Sequence, residues 1–216
     1  MKKVAVIHSG MSTVEMLNKM FSERLPDIKL INIVDDSLAG AVLQAGYAEP
    51  RVVKTIVLYA FAAQGIGCDA IFNPCALIRT AAEIAQKTLD IPYFCNDVPM
   101  VREAIKLGKR IGLVTANQPA MNNVAKMAEF EISAAGRGNI LKKYACIEAF
   151  NALSKEKNRE KYKALMTKAV TLAAKENDVV ILGQGSMFAS DYPNQPVPVL
   201  DVHESGICGL RNLLYA

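Results

Sequence analysis

Three stretches of this 216-residue chain recur in the same order at a nearly constant spacing, and that repeat limits the possible folds more than any other feature. Asp69 to Cys75 (D-A-I-F-N-P-C) matches Asp178 to Gln184 (D-V-V-I-L-G-Q), with an offset of 109. Each copy opens on Asp, runs through an apolar strand and stops in a turn. Lys2 to His8 matches Lys109 to Thr115 at an offset of 107, and Ile91 to Phe94 matches Val197 to Leu200 at 106. Any single match is weak, because buried strands resemble one another. The ordered set implies a duplicated α/β half, with residues 1–97 forming the first half and residues 98–202 the second. A last helix, 203–216, is expected to pack back on the first half.

Read in order, the chain alternates between strand and helix signals. Val4–Ile7 reads as a strand, and Ser12-Thr13-Val14-Glu15 as a capping box that opens a helix to about Leu25. Asp27–Val34 alternates as a second strand, a small-residue loop follows, and residues 51–63 are helical. The strand 69–73 leads into a helix from Ala76 through Lys87. Ile91–Phe94 is a short strand and Val98–Leu107 a helix. The second half restarts with strand Ile111–Val114, then a helix opened by Pro119. A strand is expected over Phe130–Ala134, and Gly136–Asn139 is a connection. Helices are expected over Cys146–Leu153 and 159–175, a strand into Gln184, a loop from Pro193 to Pro198, and strand Val199–Asp201. The tail from Glu204 to Leu214 is helical. Regular alternation of this kind predicts parallel sheets with helices on both faces.

The chain is long enough to bury a sizeable core, and 51% hydrophobic with 21% charged residues describes a globule. A net charge of +4 is mild, and the lysines of residues 155–163 interleave with Glu156 and Glu160 as on a solvated helix face. That argues against a nucleic-acid partner. No apolar run suits a signal peptide or a membrane span, so the expected setting is cytoplasmic with no membrane partner. The five cysteines show no metal-type spacing, so reduced thiols are expected and neither a metal nor a disulfide framework. Gly65-Ile66-Gly67 and Gly183-Gln184-Gly185 are each only G-x-G, which excludes a dinucleotide site.

Open parallel sheets bind ligands at the carboxyl ends of their strands. Those ends carry His8, Ser9, Asn73, Cys75, Thr115, Asn117, Gln184, Ser186 and His203, with Ala76 and Gly185 beside them. If the halves face each other about a pseudo-twofold axis, these residues line one cleft, with Cys75 and Gln184 on opposite sides of a ligand. Cys75 is the candidate reactive centre. It stands where a strand gives way to a helix, near backbone N–H groups that favour a thiolate and hold an anion. Ser9, Ser12, Thr13, Asn73, Thr115, Asn117 and Ser186 are anion-binding candidates, and each also suits a helix cap or turn. His8 either caps the next helix or takes part in proton transfer. His203 either hydrogen-bonds locally or acts as a second proton carrier. Tyr47 either reaches the cleft from a loop or packs on the surface. Cys68, Cys95, Cys146 and Cys208 read as core.

Gly67-Cys68-Asp69-Ala70-Ile71 leading to Cys75, Asp178 to Gly183 leading to position 184, and the polar turn His8-Ser9-Gly10 together resemble the cofactor-independent aspartate/glutamate/hydantoin racemase superfamily, over essentially the whole chain. The resemblance implies two similar α/β domains with an active site between them, no cofactor, and a small carboxylate-bearing substrate. It also implies two thiols, one on each face of the substrate, the first removing a proton beside a carboxylate and the second returning one. This chain departs from the pattern twice. The second thiol position is Gln184, and His8 stands where relatives often carry an acidic residue or Asn. The implied activity is racemisation, isomerisation or single-thiol decarboxylation, and a binding protein without catalysis is the rival reading. A homo-oligomer is compatible with the sequence.

Overall fold

The computed structural model describes residues 1–216. In chain order the elements are β1 (Lys2–His8), α1 (Val14–Arg24), β2 (Ile28–Val34), α2 (Ser37–Ala45), α3 (Pro50–Gly65), β3 (Ala70–Asn73), α4 (Arg79–Gln86), β4 (Tyr93–Cys95) and α5 (Asp97–Leu107). They continue with β5 (Arg110–Thr115), α6 (Gln118–Ala135), β6 (Ile140–Ala145), α7 (Ile147–Ser154), α8 (Arg159–Glu176), β7 (Val179–Leu182), β8 (Val199–Leu200) and α9 (Val202–Tyr215). Two compact units result: Met1–Asn96 with His203–Ala216, and Asp97–Val202.

Each unit holds one four-stranded sheet, ordered β2-β1-β3-β4 in the first and β6-β5-β7-β8 in the second, and every pairing is parallel. The duplicated α/β architecture expected from the repeat is therefore present, strand for strand. Val4 to Ile7 and Val179 to Leu182 are wholly buried, as a parallel sheet covered on both faces requires.

The Asp that opens each repeat has a shared job. Asp69 donates its N–H to the Lys3 carbonyl (2.7 Å), and its Oδ2 accepts the Lys3 N–H (2.8 Å). Asp178 treats Arg110 the same way, at 2.8 Å and 2.8 Å. The carboxylate thus ties the start of β3 to β1, and the start of β7 to β5. The Lys3 N–H is the main influence holding Asp69 below its ordinary pKa, while for Asp178 the Arg110 guanidinium comes first. A carboxylate depressed in the folded state stabilises fully above its unfolded pKa near about 4, and that contribution is lost as pH falls through the folded value. Asp69→Asn and Asp178→Asn should each lower stability at neutral pH and flatten the acid limb. Thermal unfolding from about pH 6 to about pH 2 tests this. Acid limbs identical to that of the native chain would remove the carboxylates from the account.

The core of the first unit gathers Val4, Val6, Leu17, Phe21, Leu25 and Phe72 with Ile207 and Leu210 of α9. Phe72 meets Phe21 edge-on at 5.6 Å and stacks on Phe94 at 5.9 Å, geometries worth about 0.5–1.5 kcal/mol each beyond burial. The second core joins Val114, Val180 and Leu182 of the sheet to Met166, Val170 and Ala173 of α8.

Several expectations fail locally. The small-residue stretch after β2 is not a loop but α2, whose Leu38 and Val42 sit one turn apart in the core and whose end is capped by Gly46 at φ 85°. The strand expected over Phe130–Ala134 lies inside α6, with Phe130 70% exposed, and the strand that follows β5 in the chain and pairs with it is β6. The helix expected directly after Cys75 starts as a 3-10 turn, Ala76–Ile78, and becomes α-helical at Arg79. No Ser12–Glu15 capping box forms: Met11–Thr13 is a 3-10 turn, and Thr13, the N-cap of α1, makes no side-chain capping bond.

Candidate active site

In the first unit, β3 ends at Asn73, and Pro74, which has no N–H, leads to Cys75 in extended conformation at the N-cap of the 3-10 turn. The thiol is half-buried. Asn73, 2% exposed, organises the surroundings. Its Oδ1 accepts the Cys75 N–H (3.1 Å), its Nδ2 donates to Cys95 Sγ (3.5 Å), and its carbonyl accepts the Asn96 N–H (3.2 Å). The amide read from the sequence as an anion donor is therefore committed to the chain itself. Ala76, the first residue of the turn, is half-buried, and Ser9 is buried at the end of β1.

His8 is wholly buried, and both ring nitrogens are engaged: Nδ1 with Thr13 Oγ1 (3.1 Å), Nε2 with Asn32 Oδ1 (2.8 Å). Asn32 in turn donates Nδ2–H to Asn18 (2.8 Å). Because Asn32 offers His8 its oxygen, the imidazole carries its proton on Nε2 and accepts from Thr13 through Nδ1. Burial pushes the His8 pKa down, against a smaller upward pull from Asn32, so the ring is neutral near pH 7. A neutral ring with both nitrogens spent ties the turn after β1 to α1 and β2. That geometry favours positioning over proton transfer for His8. His203 is buried in the first turn of α9, beside Glu204, which pairs with Arg24 at 2.8 Å.

In the second unit, Gln184 stands two residues past β7 as Cys75 stands two residues past β3. Its Oε1 accepts the Ala116 N–H, bridging the ends of β7 and β5. Gly183 permits this approach. A Cβ there would meet Thr115 Cγ2 at 2.8 Å and Leu113 Cδ1 at 2.9 Å. Thr115 is wholly buried and donates its hydroxyl to the Asn117 carbonyl (3.1 Å), and Asn117 Oδ1 caps α6 at the Ala120 N–H (2.9 Å). These two expected anion binders thus serve as strand-end and helix-cap residues. Gly185 is half-buried and Ser186 exposed.

Other thiols and aromatics correct the sequence reading. Cys208 is exposed, not core; Cys95 and Cys146 are half-buried; only Cys68 is buried, and burial pushes its thiol pKa up. None of the five forms a disulfide. Tyr47 is 60% exposed. Two residues near Cys75 went unread. Arg79, whose side chain is 8% exposed, opens α4 and pairs with Glu83 at 3.0 Å. Tyr93 is buried on β4. Arginine at a helix start reads as solvent-facing, and nothing in the sequence marks it as buried. No cluster of three or more His, Cys, Asp or Glu side chains is placed to hold a metal ion, and no helix is long and apolar enough to cross a membrane.

A duplicated α/β chain with paired strand-end turns, one carrying a thiol, has clear relatives. The Asp/Glu/Hydantoin racemase family model matches residues 4–207, and the chain belongs to that family. Among solved structures, a glutamate racemase isoform of Bacillus anthracis shares 18% identity and a TM-score of 0.73, covering 99% of this chain and 81% of its own. The aspartate racemase of Picrophilus torridus shares 14% identity and a TM-score of 0.72, with coverages of 99% and 94%. An allantoin racemase from Pseudomonas fluorescens shares 15% identity and a TM-score of 0.58, with coverages of 98% and 90%. No curated protein matches the chain in sequence.

Proposed function

We propose that the protein is a racemase- or isomerase-type enzyme that moves a proton at the α-carbon of a small carboxylate or amino-acid-like compound, without a cofactor, through Cys75. The observation that carries this reading is the placing of Cys75 two residues past β3, its N–H fixed by Asn73, in a member of a racemase family. The Cys75 thiolate takes the α-proton, and the electron pair left behind spreads onto the substrate carboxylate. Donors that meet this charge come from the turn after Cys75 and from Ser9, and Gln184, Gly185 and Ser186 are the proposed substrate contacts of the second unit. Where the native chain racemises, His203 is the group that returns the proton from the other side. His8 keeps the β1 turn in place.

A second reading rests on Gln184. An amide is no base at neutral pH, so one thiol is left, and a decarboxylase needs only one proton donor to quench the carbanion left by carbon dioxide. The third is a binding protein without catalysis. Incubation with small amino acids, hydroxy acids and dicarboxylates in deuterated solvent separates them. Proton NMR should show substrate-dependent loss of an α-proton signal. Carbon dioxide release without exchange would move the protein to the decarboxylases, and ligand binding with neither would make it a binder.

A further inference from the structure

Tyr93 is 6% exposed on β4, and its hydroxyl has no hydrogen-bond partner within the chain. A phenylalanine would fill the same space without stranding a polar group, so an idle buried hydroxyl is costly unless something calls on it. Its surroundings are specific. Ile71 pairs with Tyr93 and Asn73 with Cys95 in the β3–β4 register, so Ile71, Asn73, Tyr93 and Cys95 project from one face of the sheet. On that face Asn73 links the Cys75 backbone to the Cys95 thiol.

We infer that Tyr93 is a positioning residue for the reactive thiol, its buried hydroxyl donating a hydrogen bond to Cys75 when that thiol ionises. The inference rests on the assignment of Cys75 as the reactive thiol. Burial foremost, then Cys95 and Cys75, pushes the phenol far above its ordinary pKa, so both thiols lie within its electrostatic reach and it remains a protonated donor. The charged residues of α4, which packs against β4, are Arg79 and Glu83, and they pair with each other. Asn73 donates its side-chain N–H to Cys95, while the Tyr93 hydroxyl on the same face has no partner. A buried hydroxyl without a partner in the thiol form gains one in the thiolate form. The bond therefore favours ionisation, which lowers the Cys75 pKa and speeds proton removal.

The test is the pH profile of iodoacetamide alkylation at Cys75, followed by peptide-resolved mass spectrometry, in the native chain and in Tyr93→Phe. The profile should move up by about one pH unit, giving about tenfold slower alkylation at neutral pH. An unmoved Cys75 profile overturns the inference, as does a shift confined to Cys95. Should Tyr93→Phe not fold, replacement of tyrosine by the more acidic 3-fluorotyrosine should move the Cys75 profile down, and no movement is again fatal. The readout needs no substrate. A shifted thiol in a protein without α-proton exchange would sink the proposed reaction and leave this inference standing; exchange with an unshifted thiol would do the reverse.

Discussion

Replacing Cys75 by serine should cut α-proton exchange by about 10²- to 10⁴-fold, the range in which a positioned acid–base group acts. A serine hydroxyl is a far weaker acid than a thiol of ordinary pKa about 8.5, so almost none is ionised at neutral pH. The surroundings should survive the change. The bond from position 75 to Asn73 uses the backbone N–H, and the side chain is half-buried and near isosteric. Thermal unfolding of Cys75→Ser should therefore match that of the native chain within a few degrees, about the shift a 1 kcal/mol change produces. Exchange measured by NMR in Cys75→Ser, beside Cys95→Ser as a control, decides the matter. Retention of most activity by the first and its loss in the second would transfer the thiol's part to Cys95.

The duplication was legible because its signal is local. An Asp whose backbone and carboxylate both bind the first strand, then a run buried on both faces, leaves a contiguous pattern, once at Asp69 and once at Asp178. Cys75 and Gln184 follow directly from it. What escaped depends on contacts far apart in sequence or on weak local preference. Helix α2 contains Gly40 and no charged residue, so its composition reads as loop, yet Leu38 and Val42 hold it on the core. Phe130 to Ala134 imitates a strand by alternation, while the Asn117 cap at one end and Gly136 at φ 60° at the other define an uninterrupted α6. The His8 network needs Thr13, Asn18 and Asn32 from the first turn, α1 and β2, and no spacing rule joins them. Tyr93 and Cys95 come beside Asn73 only through β3–β4 pairing. Polar residues at strand ends thus divided in a way the sequence does not display. Asn73, Thr115 and Asn117 are spent on the chain's own backbone and side chains, and the bond from Asn73 to the half-buried Cys75 goes to its backbone N–H.

Gln184→Cys should give the protein racemisation that the native chain lacks or performs poorly, because it places a second thiol at the position equivalent to Cys75 in the other repeat. The gain comes with two costs. Gln184 Oε1 is the acceptor for the Ala116 N–H, and a partly buried donor left without its acceptor costs about 1–3 kcal/mol. Cysteine is also the smaller side chain, and the amide it replaces is a proposed substrate contact, so ligand affinity should fall as well. Gln184→Ala carries the same two losses without the thiol and serves as the reference. The difference between the two variants isolates the new acid–base group. Chiral chromatography on a panel of amino acids and hydroxy acids is the assay. Racemisation confined to Gln184→Cys would establish that one thiol was missing. Efficient racemisation by the native chain, retained in Gln184→Ala and abolished in His203→Gln, would show that the imidazole already returns the proton and that the single-thiol account is wrong.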